Sequence, residues 1–226
     1  MRLVALLSAL LLLHSCLSPP VAAPPDTAYL PIETGRYILY TVDEERYAPA
    51  RLVQRQTYQL KEITGEAYTD VSGRPAFRLL RFRRADAAQA WHPDSIWSVR
   101  LTENAAIRTE NGRDYVKLMF PLRTGLRWNG NRFNNLGEDI YEAHTTNEPY
   151  RVVDKPFAPA IRIVQRNDST LVSQDRRTEI YALGIGMIYK ERIQLTYCTA
   201  TPACIGKKQI EYGIRQIYRI TDYGVE

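Results

Sequence analysis

Two strand patterns in the last third of the chain constrain its fold more than any other feature. Between Ile185 and Tyr197, apolar residues occupy most odd positions, and polar residues occupy the even positions from Lys190 onward. Alternation with a period of two is typical of a β-strand that turns one face to a core and the other to water. The pattern returns between Ile210 and Ile220 with the apolar residues at even positions. We therefore expect a long antiparallel hairpin whose first strand exposes its even positions to water.

Two cysteines, Cys198 and Cys204, flank the loop that joins these strands. An even pair of cysteines in an exported chain favours a local disulfide, and without a neighbouring histidine the pair supplies too few ligands for a metal ion. If the cysteines lie opposite each other, odd residues pair with odd ones, and the two apolar stripes fall on opposite faces. A β-bulge would bring the two apolar stripes onto one face. We predict it at Gly206 or Gly213, because glycine adopts the dihedral angles that a bulge requires.

Residues 1–15 have the composition of a secretory signal peptide. The apolar run Leu3–Leu13 is eleven residues long, which is too short to cross the ~30 Å core of a bilayer as a helix. Residues 13–16, Leu-His-Ser-Cys, resemble the bacterial lipobox, in which cleavage precedes a cysteine that becomes lipid-modified. The alternative is ordinary cleavage after Ala23. We expect a lipoprotein held in a lipid bilayer by acyl chains, such as palmitate, on Cys16.

Residues 16–28 contain four prolines separated mainly by small residues. This composition favours an extended polyproline II spacer, so we interpret the segment as the anchor cysteine followed by a tether. Residues 29–226 contain no repeat, low-complexity break or second linker, and their length fits a single domain.

Short strand-like segments separated by turn signals run through residues 29–226. They are Tyr37–Val42, Leu52–Ile63, Phe77–Arg83, Ile96–Leu101, Asp114–Phe120, Ile140–Thr145, Ile161–Gln165, Thr178–Leu183, Ile188–Tyr197 and Gln209–Tyr218. Only Arg84–Ala90 has a helical pattern. Many short strands without intervening helices predict an all-β antiparallel meander. A closed barrel, a half-open barrel and a sandwich all fit this pattern.

The sequence carries none of the common catalytic or cofactor-binding motifs. GxSxG, HExxH, a glycine-rich phosphate loop and an EF-hand loop are missing from it. His92 and His144 lie far apart in the sequence, without a nucleophile or ligand partner at a useful spacing. The acidic clusters at 43–45 and 138–139 fall in predicted loops, where solvated charge is the ordinary interpretation. We expect a protein that is not an enzyme and that needs no metal ion or cofactor.

One carboxylate, Glu191, interrupts the apolar stripe of the predicted hairpin. A carboxylate that faces a core must be paired, so we expect a salt bridge to an arginine or a position at a barrel mouth. The alternative is that Glu191 anchors a ligand inside a pocket. Trp128, in a turn at one end of the fold, and Tyr189, on the same stripe, are the other candidate ligand-binding residues.

The chain is basic, with a formal net charge of +5. Four arginines lie close together, at Arg78, Arg81, Arg83 and Arg84. Alternation along a strand would place them on both faces, and no helix or aromatic platform is available to read bases. Together with export, this argues against a nucleic-acid partner.

Three segments together resemble a family of uncharacterised lipoproteins of the Bacteroidota. They are Tyr29–Tyr40, Phe120–Asn131 and Tyr181–Glu191. The resemblance covers nearly all of residues 29–226 and implies an envelope location and a β-rich fold. It implies no activity and no catalytic residue.

Two functional hypotheses remain open. The first is a lipoprotein of the outer membrane, on its periplasmic side or at the cell surface, with a structural role or a role in binding an envelope protein. The second is a calycin-like or lipoprotein-carrier-like protein that holds an apolar ligand in a half-open barrel. A cavity large enough for a ligand would favour the second hypothesis.

Overall fold

The structure is a computed structural model that describes residues 25–226, which form one antiparallel sheet of twelve strands. The strands are β1 Arg36–Tyr47, β2 Leu52–Thr69, β3 Pro75–Arg84, β4 His92–Leu101, β5 Ala105–Glu110, β6 Arg113–Met119, β7 Arg127–Asn129, β8 Ile140–Val152, β9 Lys155–Ser169, β10 Ser173–Ala182, β11 Gly186–Tyr197 and β12 Ile210–Val225. Their order in space is β6-β5-β4-β3-β2-β1-β12-β11-β10-β9-β8-β7. Strands that follow one another in the sequence therefore pair, except that β1 pairs with β12 and β6 does not pair with β7.

The two edges of this sheet, β6 and β7, meet and nearly close it into a barrel. The Val116 amide of β6 donates to the Gly130 carbonyl just beyond β7 over 2.9 Å, and the Trp128 indole donates to the Val116 carbonyl over 2.8 Å. A Cβ at position 130 would lie 2.3 Å from the Tyr141 ring, so only glycine fits there. The all-β prediction is confirmed, and of the arrangements left open the fold is the barrel.

The two ends of the barrel differ. Loops alternate between the ends of an antiparallel meander, so the Cys198–Cys204 loop lies at one end and the β10–β11 turn at the other. Residues 26–35 lie across the end that carries the β10–β11 turn. We call this the plugged end, and the opposite one the disulfide end.

Backbone hydrogen bonds and one buried ring hold the plug in place. The Leu122 amide donates to the Asp26 carboxylate over 2.6 Å, and the Gly184 amide donates to the Ala28 carbonyl over 2.8 Å. Tyr29 is buried, and its hydroxyl donates to the Asn147 side chain. Asp26–Tyr29 form a 3₁₀ helix, so part of the segment interpreted as tether packs against the barrel.

The barrel interior is built by alternation along its central strands. Tyr40 of β1 lies opposite Leu60 of β2 and Ile220 of β12, and Val42 lies opposite Tyr58 and Tyr218. These six apolar side chains are buried in one large core. Side chains on one face of a strand are two residues apart, so Glu44 and Glu62 continue the same inward stripes.

The predicted C-terminal hairpin is present, but its first strand faces the other way. In β11 the polar even residue Lys190 turns inward, because it lies opposite Tyr218 and pairs with the buried Glu179. The odd residues Ile193, Leu195 and Tyr197 instead form a small second cluster with Tyr47 and Ile210. The expectation that the even positions of β11 face water was wrong for Lys190, because this interior accepts charge, whereas Arg192 and Thr196 are exposed as expected.

The predicted bulge exists but not at either glycine. Tyr197 lies opposite Ile210 and Thr196 opposite Tyr212, so the extra residue is Glu211. Gly206 lies in the loop, and Gly213 stays in register opposite Leu195. Gly213 has a φ of +136°, and a Cβ there would lie 2.1 Å from the Gln194 carbonyl oxygen, so its role is close approach of two strands.

The cysteine prediction is confirmed: Cys198 and Cys204 form a disulfide that braces the β11–β12 loop. Two strands, β5 and β7, were missed. The predicted helix at Arg84–Ala90 was wrong, because Arg84 ends β3 and the following residues form a turn. No helix in residues 25–226 is long and apolar enough to cross a membrane.

Candidate functional site

A continuous chain of ion pairs crosses the barrel interior. Its members are three carboxylates, Glu62, Glu110 and Glu179, and four cations, Arg81, Arg108, Lys117 and Lys190. They come from six different strands, so the chain links opposite walls of the barrel. It divides the interior into two compartments.

On the side of the barrel formed by β2 to β5, one carboxylate of the ion-pair chain contacts two arginines. Arg81 Nε lies 3.0 Å from one oxygen of Glu62, and Arg108 binds the other oxygen of the same carboxylate. Both guanidinium groups also lie over the Trp97 ring, at 3.7 Å and 4.9 Å from its centroid. Glu62 is thus held by two arginines that an aromatic side chain keeps in place.

The other side of the chain is anchored by one lysine. Lys117 Nζ lies 2.6 Å from Glu179 and 3.5 Å from Glu110, and its side chain is 5% exposed. Burial alone would raise the pKa of Glu179, but Lys117 and Lys190 hold it at about 2. Glu110 has a pKa of about 2 for the same reason, with Lys117 as the nearest cation. Both carboxylates are therefore ionised over the whole physiological range of pH.

Toward the plugged end, the interior holds a small apolar chamber of about 50 Å³. Leu79, Val99 and Met187 line it, while Glu62 and Arg108 belong to its polar boundary. The buried Nε of Arg108 makes no hydrogen bond within residues 25–226. A water molecule occupies ~30 Å³ in the liquid, so this chamber offers room for about two.

Toward the disulfide end lies a larger polar recess of about 260 Å³, which we call the mouth cavity. It is lined by Glu110, Tyr115, Lys117, Asn131, Leu136, Asp139, Tyr141, Gln165, Arg177, Glu179, Lys190, Glu191, Arg192 and Gln194. By the same measure it has room for roughly nine water molecules. It is the compartment in which a small ligand would fit.

Most charges that line the mouth cavity are already neutralised. Arg177 donates two hydrogen bonds to Asp139, over 2.6 Å and 3.0 Å, and also binds Asp175. Glu191 pairs with Arg176 over 2.5 Å. The acidic residues around the recess are therefore committed to arginines or to Lys117.

Two cations of β11 are less closely paired: Lys190 has one ion pair and no hydrogen bond, and Arg192 has no ion pair within the described residues. Lys190 Nζ lies 3.6 Å from Glu179, its closest carboxylate, and makes no hydrogen bond within the described residues. Burial lowers the pKa of Lys190, and Glu110 and Glu179 only partly oppose this. Arg192 donates from Nε to Gln194 over 2.6 Å and forms no ion pair within residues 25–226.

The structure does not bring the three candidate ligand-binding residues into one site. Glu191 reaches the mouth cavity but is held by Arg176, which is the expected salt bridge. Trp128 belongs to the seam between β6 and β7, and Tyr189 packs against the Tyr150 ring at 5.8 Å. Cys16 lies outside the described residues.

Apart from Glu191 and Asp139, sequence reasoning missed the residues that line the mouth cavity. Lys190 and Arg192 alternate with apolar residues as the side chains of a solvent-exposed strand face do. Their orientation toward the mouth cavity therefore cannot be recognised in the sequence. One signal was available: Glu179 lies in the predicted strand Thr178–Leu183 directly before the apolar run that begins at Ile180, where an unpaired carboxylate would be costly.

Of the other groups considered for chemistry, Asp139 lines the mouth cavity, and the two histidines and the cluster at 43–45 lie away from it. His92 and His144 are exposed, on β4 and β8. The acidic cluster at 43–45 was wrongly placed in a loop: it lies in β1, where Asp43 binds Arg219 and Glu45 binds Arg55. Across residues 25–226 no group of three or more histidine, cysteine or acidic side chains is placed to hold a metal ion.

Comparison with family models, with curated proteins and with solved structures finds no match to this chain. The function must therefore be argued from the mouth cavity, the charged interior and the two unlike ends of the barrel.

Proposed function

We propose that the protein is a non-enzymatic lipoprotein of the bacterial outer membrane whose barrel binds a small polar ligand in the mouth cavity. The observation that carries this proposal is the contrast in free volume, about 260 Å³ in the mouth cavity against about 50 Å³ in the apolar chamber. Since the larger space is the polar one, the ligand we propose is polar rather than apolar.

The charged interior supports binding without catalysis. Each carboxylate of the ion-pair chain contacts at least one cation, so none is free to act as a general base. A rigid, pre-organised polar wall is what a binding site requires, because affinity is lost when side chains must be ordered on binding.

The anchor and the fold together would orient this site. Cys16 stands nine positions before Pro25, and an extended segment of that length spans roughly 28 Å at ~3.1 Å per residue. Pro25 adjoins the plug, so an acylated Cys16 would draw the plugged end toward the bilayer. The mouth cavity would then open away from the membrane.

Native mass spectrometry of the protein purified from its own host tests the ligand. We expect a non-covalent adduct of small mass in the wild type that is lost in Gln194→Trp, where an indole would fill the mouth. Thr196→Trp is the matched control, because Thr196 follows on the same strand face and does not line the cavity. A wild-type protein without any adduct would contradict the proposal.

The anchor needs a separate test. Denaturing mass spectrometry of the membrane fraction should show a chain that begins at Cys16 and carries acyl mass. Cys16→Ser should move the protein out of the membrane fraction. A mature chain that begins elsewhere, or a Cys16→Ser protein that stays in the membrane, would contradict the lipoprotein assignment.

A second candidate, binding of an envelope protein, is favoured by the loops at the disulfide end. Leu171 and Ile205 are 67% and 42% exposed, and a Cβ at Gly206 would lie 3.6 Å from Leu171, so the two loops touch. Exposed apolar residues on a braced loop are typical of protein interfaces. Photo-crosslinking from position 205 in cells should capture one defined partner, whereas crosslinking from position 153 at the plugged end should not.

A further inference from the structure

The wall that β11 presents to the mouth cavity carries two cations: Lys190, which lies 3.6 Å from Glu179, and Arg192, which forms no ion pair within residues 25–226. Lys190 and Arg192 both line the cavity and lie two residues apart on one face of the strand. Side chains in this relation stand about 7 Å apart along a strand, which leaves room for a small group between their tips. Glu191, the residue between them, is paired with Arg176.

The hydrogen-bonding capacity of these two side chains is largely unused. A lysine ammonium has three donors and an arginine guanidinium five. Lys190 makes no hydrogen bond within residues 25–226, and Arg192 makes one, from Nε to Gln194. The two terminal nitrogens of Arg192 are therefore available, and the bond to Gln194 fixes the direction of the guanidinium plane.

A third donor reaches the mouth cavity from β9. Gln165 is 6% exposed and lines the cavity, and its Nε2 finds no hydrogen-bond acceptor in the described part of the chain. A buried amide without an acceptor costs about 1–3 kcal/mol. A bound acceptor group near this residue would remove that cost.

From this geometry we infer that the mouth cavity binds a small oxyanion, a carboxylate or phosphate group, between Lys190 and Arg192. The inference rests on the proposed ligand-binding function and names its ligand class. Guanidinium groups bind carboxylates and phosphates through parallel N–H donors, and an ammonium adds a point charge. The cavity limits the rest of the ligand to a small organic acid or a small phosphate ester.

Calorimetric titration of the full chain in detergent tests the inference, at fixed ionic strength because salt screens such contacts. The probes are inorganic phosphate, succinate and succinamide, which has the size of succinate but no charge. We expect succinate or phosphate to bind and succinamide not to bind. The stronger of the two charged probes identifies the anionic group.

Two variants locate the site. Arg192→Gln and Lys190→Gln should each weaken binding of the anion at least tenfold. Arg78→Gln is the matched control, because it removes an exposed arginine of β3 that forms no ion pair within residues 25–226, and it should bind like the wild type. Arg192 is exposed and unpaired, so its replacement should leave the melting temperature unchanged and isolate the effect on binding.

Equal binding of the anion by wild type and Arg192→Gln would mean an adventitious ion only and would overturn the inference. Binding of succinamide as tightly as succinate would overturn it too. A neutral adduct in native mass spectrometry, together with no anion binding, would refute the oxyanion while leaving the proposed ligand-binding function standing.

Discussion

The two ends of the barrel differ in what covers the opening and in what lines the space beneath it. At the plugged end, residues 26–35 cover the opening, and the space beneath is an apolar chamber of about 50 Å³. At the disulfide end the opening is lined mainly by charged and polar side chains. The ion-pair chain separates the apolar chamber from the mouth cavity. The plug and the ion pairs beside the mouth cavity involve different residues, so each can be disturbed separately.

Of the changes we predict, low pH should lower the free energy of unfolding the most. It should do so by protonating carboxylates of the ion-pair chain. Glu110 and Glu179 have pKa values of about 2 in the folded state against an ordinary value of 4.5. The unfolded chain therefore binds more protons between these values, and stability is lost as pH falls from about 4.5 toward 2. The loss should reach several kcal/mol in urea denaturation. A free energy of unfolding that stays constant over this range would show that these carboxylates are not held by the lysines.

Glu179→Gln should interrupt the ion-pair chain and lower stability at neutral pH. It leaves Lys117 buried with only Glu110 nearby, at 3.5 Å, and removal of one partner from a buried pair costs about 3–5 kcal/mol. Glu191→Gln is the control, because its partner Arg176 is 45% exposed. This variant should cost less than about 1 kcal/mol. Similar losses in both variants, by urea denaturation, would mean that the interior charges are as well hydrated as the outer ones.

Side chains at the two ends of the barrel should differ in how much they contribute to stability. Tyr29→Ala at the plugged end removes a ring that is 4% exposed, which should cost about 3 kcal/mol. Ile205→Ala at the disulfide end should change stability by no more than about 0.5 kcal/mol, because Ile205 is 42% exposed. Chemical denaturation of both variants measures the difference. If Ile205→Ala proves the more damaging, the disulfide end is packed rather than open.

Loss of the disulfide should affect stability less than loss of Glu179 or Tyr29. Replacing Cys198 and Cys204 with serine opens a loop with a sequence separation of 6. So short a loop constrains the unfolded chain only slightly, and the expected loss is about 2 kcal/mol or less. Thermal melting of the double variant should show a modest shift. Binding of succinate or phosphate should persist, because neither cysteine lines the mouth cavity.

The sequence was sufficient for the strands but not for the direction in which some of them face. Alternation located most strands, and turn signals such as Glu110-Asn111-Gly112 marked the hairpins, because both depend on neighbouring residues. It missed β7, whose three residues are too few to show a period. Alternation alone cannot tell which of two stripes faces inward when the interior is charged, as Lys190 shows.

The site was harder to foresee, because its parts come from distant segments. Lys117 and Glu179 meet across 62 positions of sequence, and Glu62 and Arg108 across 46. Apart from Glu179, each residue alone resembles an ordinary surface charge. Only closure of the barrel turns them into a chain of pairs and leaves Lys190 and Arg192 beside the mouth cavity.

The pairing of β1 with β12 has a consequence for biogenesis. Both long edges of β1 need partners, and one of them stays bare until residues 210–225 have been synthesised. Before that point the meanders β1–β6 and β7–β11 cannot be joined into one sheet, and their open edges invite association with other chains. We therefore expect nascent or truncated products that end before position 210 to depend on chaperones and to be removed by proteases.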